Sequence, residues 1–180
     1  MAIGENSPCF KFIRQELGTN LIGVEIGIGD GGNAEAVLNY IYPRKYYMID
    51  PYLSYSGNPA PQHTFEALHN YARSRFSSYH NIEFIRISSF EASKILPNDL
   101  DFVYVDGAHD YDNKILDLNS WWPKIRNGGI LCGDDFEIPD VTRAVKDFCN
   151  QNNIQFTLPQ QEHPHPVEFI IIKREVNGTT

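Results

Sequence analysis

The chain has 180 residues, 42% hydrophobic and 13% aromatic, enough for the core of one domain over residues 1–180. The formal net charge is −8, and the Lys and Arg residues are scattered, so we expect neither nucleic acid nor a membrane as a partner. The polar N-terminus, the lack of an apolar span and three widely spaced cysteines predict a cytoplasmic protein with reduced thiols.

Apolar runs typical of strands alternate with runs typical of helices, which is the pattern of a parallel sheet covered by helices. In chain order we predict a helix at 9–18, a strand at 21–28, helix 33–41, strand 45–50, helix 64–76, strand 82–87, helix 90–96, strand 100–105, helix 111–125, strand 130–132, helix 139–150 and strands 155–158 and 167–173. No helical pattern separates the last two strands, so we expect an antiparallel hairpin at the C-terminal edge. The predicted fold is α/β, a Rossmann-like three-layer sandwich with a mostly parallel seven-stranded sheet and a helical extension over 1–20.

Two pairs of residues in and after the predicted helix at 111–125 carry further predictions. Gly128 and Gly129 follow that helix and are expected to end it as a C-cap pair. Trp121 and Trp122 point about 100° apart on a helix, so one of them is expected to pack on the sheet. The other is a candidate contact in a homo-oligomer, which the sequence leaves open.

Acidic residues recur at or near the carboxyl ends of the predicted strands. In an open α/β sheet, ligands bind just outside those ends. The acids that share this position are Glu25, Asp50, Asp106, Asp134 and Asp135. One edge of the sheet is therefore predicted to carry a row of carboxylates that bind a ligand.

A glycine-rich turn follows the first predicted strand and opens the next helix. Residues 27–32 fit the pattern GxGxxG, and Asp50 follows at the distance of a ribose-binding acid, a combination that admits NAD. Glu25 favours S-adenosylmethionine instead, because a carboxylate there repels a pyrophosphate but suits a cationic amino group. A dehydrogenase would also need a second domain for its substrate, for which 180 residues leave no room.

Three motifs in a fixed order resemble one family: the glycine turn, the DGAHDY segment at 106–111 and the GGILCGDD segment at 128–135. Together they are similar to class I S-adenosylmethionine-dependent methyltransferases, and within that class to the methyltransferase 24 group of metal-dependent sugar and small-molecule O-methyltransferases. The resemblance covers roughly residues 21–147. It implies an enzyme that methylates a hydroxyl of a small-molecule acceptor, such as a sugar or a phenol.

The resemblance also implies roles for individual residues. To the cofactor it assigns Glu25, Gly27, Ile28, Gly29, Asp50, Ser88, Ser89 and Asp106. Asp50 would accept hydrogen bonds from both ribose hydroxyls, whereas Ser88 and Ser89 would lie beside the adenine. To a divalent cation it assigns Asp106, Asp134 and Asp135.

Electrostatics supports a cation among these three aspartates. At ~4 Å and an effective dielectric near 20, each pair of carboxylates repels by several kcal/mol, so protonation, a Lys or Arg side chain, or a cation must offset the repulsion. Three hard oxygen ligands suit Mg²⁺, since the sequence provides no Cys or His pair at this position. The alternative is that the aspartates only cap the following turn and helix.

His109 is the candidate general base. It lies three residues beyond Asp106, and an unperturbed pKa near 6.5 would suit removal of the acceptor's proton. We therefore place His109 and Asp106 in the catalytic site. A contact to the cofactor and a purely structural role remain alternatives for His109.

The acceptor site is the least defined part of the sequence. Residues 52–61 are predicted to form a mobile lid over the cavity, with an ordinary tight loop as the alternative. His163 and His165 lie between the last two strands, where they could touch the acceptor or form a solvated turn. Besides NAD-dependent oxidoreduction, the sequence leaves open a non-catalytic cofactor-binding module and methyl transfer without a metal.

Overall fold

A seven-stranded sheet with helices on both faces makes up the computed structural model, which describes residues 7–55, 59–160 and 167–174. The described helices are α1 (Pro8–Leu17), α2 (Gly32–Tyr40), α3 (Gln62–Arg75), α4 (Ser89–Ile95), α5 (Tyr111–Trp121) and α6 (Pro139–Asn152). The described strands are β1 (Ile22–Ile26), β2 (Lys45–Ile49), β3 (Ile82–Ile85), β4 (Leu100–Val105), β5 (Ile125–Gly133), β6 (Phe156–Thr157) and β7 (Phe169–Ile172). Within these residues, no helix has the length and apolarity that a membrane crossing requires.

The strand order in the sheet is β3-β2-β1-β4-β5-β7-β6. Strands β1 to β5 pair in parallel, whereas β7 runs antiparallel to both β5 and β6. The predicted parallel sheet with an antiparallel closing pair is thus confirmed. Strand order reverses at β1, which pairs with β2 on one side and β4 on the other, and such a switch point is where open α/β sheets bind ligands.

Apolar side chains cover both faces of the sheet, as the run of buried residues in β4 requires. Helices α1 to α3 pack on one face, where Phe10, Val37 and Phe65 join the core. Helices α4 to α6 pack on the other, where Trp121 and Phe148 are buried. The three predicted layers are therefore present.

The prediction for Gly128 and Gly129 was wrong, because both lie inside β5 rather than at the end of a helix. Helix α5 ends at Trp121, and a single 3-10 turn at Trp122–Lys124, which contains a proline, leads directly into β5. The β4–β5 register then slips: Leu100 pairs with Ile125, but Phe102 pairs with Ile130. Gly128 and Gly129 lie in the irregular segment of β5 at which this register slips.

The two tryptophans differ in burial, as expected. Trp121 is fully buried against the sheet, whereas Trp122 is half-buried, with the Lys173 ammonium 5.6 Å from the centre of its ring. The packing part of that prediction is confirmed, and the oligomer contact stays a prediction.

Candidate active site

A cavity of about 720 Å³ opens at the carboxyl ends of the central strands, a size typical of small-molecule sites. Its walls include residues 26–30, 49–53, 88–90 and 106–109. Of the residues assigned from the sequence, those that line it are Gly27, Ile28, Gly29, Asp50, Ser88, Ser89, Asp106 and His109. Three others, Glu25, Asp134 and Asp135, are not part of the wall.

The wall of the cavity is acidic. Asp30, Asp50, Asp106 and Asp117 line it, and no Lys or Arg does so among the described residues. A pyrophosphate placed there would face carboxylates without a compensating cation, whereas a ligand with a sulfonium and an ammonium group would be attracted. The acidic lining of the cavity thus fits S-adenosylmethionine and disfavours NAD.

Asp50 holds the glycine turn in shape. Its Oδ2 accepts hydrogen bonds from the backbone N–H groups of Ile28 (3.0 Å) and Gly29 (3.1 Å), and its Oδ1 accepts one from the N–H of Tyr52 (2.7 Å). An ionised carboxylate accepts about four hydrogen bonds. The capacity that remains is therefore about one bond, so binding of both ribose hydroxyls by Asp50 would displace one bond to the turn.

Glu25 lies beside the cavity rather than in its wall. It is fully buried, and its Oε2 accepts a hydrogen bond of 2.6 Å from the hydroxyl of Tyr46. Its Oε1 has no hydrogen-bond partner among the described residues. Burial raises the pKa of Glu25 to about 8, against the opposing effect of the Tyr46 hydrogen bond, and the charges of Asp106 and Asp50 add to the rise. Because Tyr46 donates to Oε2, Oε1 carries the proton while Glu25 is neutral, and it becomes an acceptor for a cationic ligand group when Glu25 ionises.

The raised pKa of Glu25 predicts that the stability of the protein depends on pH. The Glu25→Gln variant should lose this contribution to the pH dependence. Because the folded-state pKa of about 8 lies above the ordinary value of 4.5, folding favours the protonated form. That stabilisation is complete below pH 4.5 and is lost as the pH rises through about 8. The free energy of unfolding of the wild type should therefore fall by several kcal/mol more than that of Glu25→Gln between about pH 5 and pH 9. Urea denaturation at both pH values checks this, and parallel losses in the two proteins would contradict it.

An acidic cluster with a histidine at its centre adjoins the cavity. His109 Nε2 lies 2.9 Å from Asp135 Oδ2 and 3.8 Å from Asp106 Oδ1. One possible ligand atom from each of these three residues lies within 4.8 Å of the others, and the part of the chain that the structure describes holds no other such group. The second oxygen of Asp106 accepts a hydrogen bond from the Asn33 side chain at 3.0 Å, which orients the carboxylate.

Asp134 stands outside this cluster. Its Oδ1 accepts the backbone N–H of Asp135 at 2.8 Å, and Asp135 itself has a left-handed backbone, with φ at +61°. Asp134 is not part of the group in which possible ligand atoms of Asp106, His109 and Asp135 lie within 4.8 Å of one another. The structure thus brings together two of the three aspartates assigned to a cation, with His109 in place of the third.

The close approach of these charged side chains shifts their pKa values. The carboxylates of Asp106 and Asp135 raise the pKa of His109 to about 9, so the unperturbed value expected from the sequence was wrong. His109 in turn lowers the pKa of Asp135. Burial raises the pKa of Asp134 to about 7, with repulsion from Asp106 adding to the shift. Without a cation, His109 is therefore protonated at neutral pH.

Asn33 and Asp117 are among the polar residues of the cavity wall that were given no role from the sequence. Asn33 directly follows the glycine turn, and its position in the first turn of the next helix was a usable signal, whereas Asp117 lies on α5 beyond the DGAHDY segment. Of the predicted lid, Tyr52, Leu53 and Tyr55 line the cavity, whereas residues 56–58 lie outside the described part of the chain. His163 and His165 also lie outside it.

A family model described as a methyltransferase domain, Methyltransf_24, matches residues 24–136. This span runs from β1 to just beyond β5, so it includes the glycine turn, Asp50 and the acidic cluster. The chain belongs to this family of S-adenosylmethionine-dependent class I methyltransferase domains.

One curated protein sequence is related to the chain. It is an uncharacterized protein of Acanthamoeba polyphaga mimivirus, 26% identical over 142 residues. The match covers 72% of this chain and 61% of the viral protein. The chain therefore spans less than two thirds of the length of the relative that it matches.

Three solved structures share the fold. A protein from Streptococcus mutans, assigned as a methyltransferase and solved in complex with SAH, superposes with a TM-score of 0.69 at 16% identity, over 91% of this chain and 94% of that one. An rRNA methylase from Streptococcus thermophilus gives 0.68 at 13% identity, over 93% and 95%. A protein assigned as a caffeoyl-CoA O-methyltransferase from Staphylococcus aureus gives 0.66 at 12% identity, over 91% and 80%. At these identities the likeness establishes the fold.

Proposed function

We propose that this protein transfers the methyl group of S-adenosylmethionine to a hydroxyl oxygen of a small molecule, such as a sugar or a phenol, with Mg²⁺ at the acidic cluster. One observation carries the proposal. A single cavity joins a glycine turn held by Asp50 to a wall with Asp106 and His109, where an acceptor hydroxyl can be held and deprotonated.

The choice of cofactor rests on charge. S-adenosylmethionine carries a sulfonium and an ammonium group, and the cavity offers carboxylates without Lys or Arg. Buried Glu25, which lies close to Asp50 and Asp106, would add a further acceptor when it ionises beside a cationic ligand. SAH in the Streptococcus mutans structure, which shares the fold, supports the same ligand class.

The choice of a small acceptor also rests on charge. A net charge of −8 and an acidic cavity would repel a polynucleotide, so we propose a small molecule despite the shared fold of the rRNA methylase. Oxygen is favoured as the methylated atom because the His109 cluster is suited to holding a proton. The caffeoyl-CoA O-methyltransferase assignment of another protein with this fold is consistent with that choice.

The cofactor already carries the activated methyl group, so the chain must align the acceptor oxygen and remove its proton. When bound by Asp106 and Asp135, with Asp134 adjoining, Mg²⁺ would neutralise the carboxylates and lower the pKa of the acceptor hydroxyl. Because His109 Nε2 donates to Asp135 Oδ2, the neutral ring would accept the proton at Nδ1, and Asp135 would stabilise the resulting imidazolium. Asn33 keeps Asp106 oriented through its hydrogen bond to Oδ2.

Ligand titration and metal removal test the proposal. Calorimetry should show binding of SAH and none of NADH, because only the former lacks a pyrophosphate. Transfer of labelled methyl from S-adenosylmethionine to a panel of sugars and phenols should stop with EDTA and return with Mg²⁺, while SAH binding persists.

Each other outcome selects a rival function. Binding of NADH in preference to SAH would contradict the methyltransferase assignment in favour of an oxidoreductase. SAH binding without turnover of any acceptor would indicate a non-catalytic module. Turnover that EDTA does not change would remove the metal from the mechanism.

A further inference from the structure

Lys114 is a buried basic residue that has no part in the mechanism above. It lies near the start of α5 and is fully buried, which is rare for a lysine without a carboxylate partner. Its Nζ donates a hydrogen bond of 3.2 Å to the carbonyl oxygen of Val105. It forms no ion pair with a carboxylate of the described residues. Its charge is therefore not neutralised by any single neighbour.

The ammonium group lies behind the acidic cluster. Val105 immediately precedes Asp106, and a carbonyl oxygen lies about 2.8 Å from the Cα of the next residue. Lys114 Nζ is therefore within roughly 6 Å of Asp106 Cα. Asp117, which is 6% exposed, follows Lys114 by three residues on the same helix, so these two side chains are neighbours. Lys114 itself does not line the cavity, so its charge acts on the site without contact to a ligand.

The charge of Lys114 acts on all three members of the cluster. Burial raises the pKa of Asp106, whereas His109 and Lys114 oppose that rise. His109 and Lys114 also lower the pKa of Asp135. The two carboxylates raise the pKa of His109 to about 9 against the repulsion of Lys114. Burial lowers the pKa of Lys114 itself, while the surrounding aspartates oppose this shift and favour the charged form.

We propose that Lys114 is a built-in counter-charge of the acidic cluster, which lowers the affinity of the cluster for a divalent cation. The inference rests on the proposed function, because it takes Asp106 and Asp135 to bind the cation. A fixed positive charge repels a dication and also offsets the repulsion between carboxylates that the dication would otherwise relieve. The cation should therefore bind as an exchangeable ion and not as a permanent part of the fold.

The variant Lys114→Gln provides the first test, because glutamine removes the charge and keeps a hydrogen-bond donor for Val105. Mn²⁺ is the probe, since it takes the same hard oxygen ligands as Mg²⁺ and its binding is followed by electron paramagnetic resonance. The variant should bind Mn²⁺ about 10-fold more tightly than the wild type. A purely structural role predicts weaker binding, because Asp106 would be displaced. Lys114→Arg, which keeps the charge, should stay within about threefold of the wild type.

Lys146→Gln is the matched control, since it makes the same change at an exposed position of α6. Its Mn²⁺ affinity should equal that of the wild type within about twofold. An affinity of Lys114→Gln that is equal to or weaker than the wild-type affinity would overturn the counter-charge and leave the proposed function intact. Absence of Mn²⁺ binding in both proteins would overturn the metal part of the proposed function and this inference with it.

The wild type provides a second test that does not depend on the folding of a variant. Its dissociation constant for Mn²⁺ should be weaker than about 10 µM, in the range of exchangeable cation sites with oxygen ligands. Tighter binding by the wild type would overturn the counter-charge.

Discussion

The His109→Ala variant should lose roughly 10²- to 10⁴-fold in kcat, the usual contribution of a positioned general base. Its affinity for SAH should change by less than about threefold, because the imidazole is held by Asp106 and Asp135 and not by the glycine turn, to which we assign the cofactor. Steady-state kinetics with a methylated acceptor gives the first quantity, and calorimetry with SAH gives the second.

His80→Ala is the matched control, because this histidine is exposed and does not line the cavity. It should retain both kcat and SAH affinity. Equal losses of turnover and affinity in His109→Ala would remove the base and favour a cofactor contact. A lower melting temperature with both functional constants intact would favour the structural role.

Gly27→Ala should be the most disruptive single substitution in the glycine turn. Gly27 has a φ of +84°, which residues with a side chain rarely adopt. A Cβ at this position would lie 2.0 Å from the carbonyl oxygen of Asp106. Because the obstacle is backbone, the end of β4 must move, which costs about 3 kcal/mol or more with the added φ strain. The displacement would carry Asp106 out of register with Asn33 and His109, so we expect loss of SAH binding as well as a lower melting temperature.

Gly128→Ala separates the clash from the φ strain. Its φ of +76° is close to that of Gly27, but the nearest atom to a new Cβ is the flexible end of the Arg126 side chain, at 3.3 Å. The cost should be the φ strain alone, about 1 kcal/mol, with SAH binding unchanged. Thermal unfolding and calorimetry on both variants measure the difference, and similar effects from the two would contradict the steric argument.

The topology of the sheet was predictable because buried parallel strands are read directly as apolar runs. The runs at 45–50 and 100–105 gave β2 and β4 almost to the residue. The wrong prediction that Gly128 and Gly129 end a helix came from the local preference for glycine just after a helix. The slip in the β4–β5 register depends on residues far apart in the chain, and no local pattern encodes it.

Part of the cavity wall was predictable from the sequence, whereas the contacts of its side chains were not. Glycine spacing and the acids after β2 and β4 identified the wall of the cavity, since position after a parallel strand is a sequence property. The burial of a side chain is not a sequence property, so the enclosure of Glu25 and the position of Asp134 outside the cluster of possible metal ligands emerged only in three dimensions. The raised pKa of His109 has the same origin, because it requires two carboxylates that converge from different strands.

The residues missed by the sequence argument join the site from distant parts of the chain. Asn33 on α2 donates to Asp106, and Asp117 on α5 is buried in the cavity wall. Neither position has a characteristic spacing. Hydrogen bonding identified the first residue and burial the second.

The two hydrogen bonds from the backbone of Ile28 and Gly29 to Asp50 have a kinetic consequence. They fix the glycine turn in advance, so an arriving nucleoside does not have to order it and loses little affinity to conformational entropy. Capture of the methyl donor should accordingly be a single bimolecular step, with a rate that rises in proportion to ligand concentration and shows no plateau.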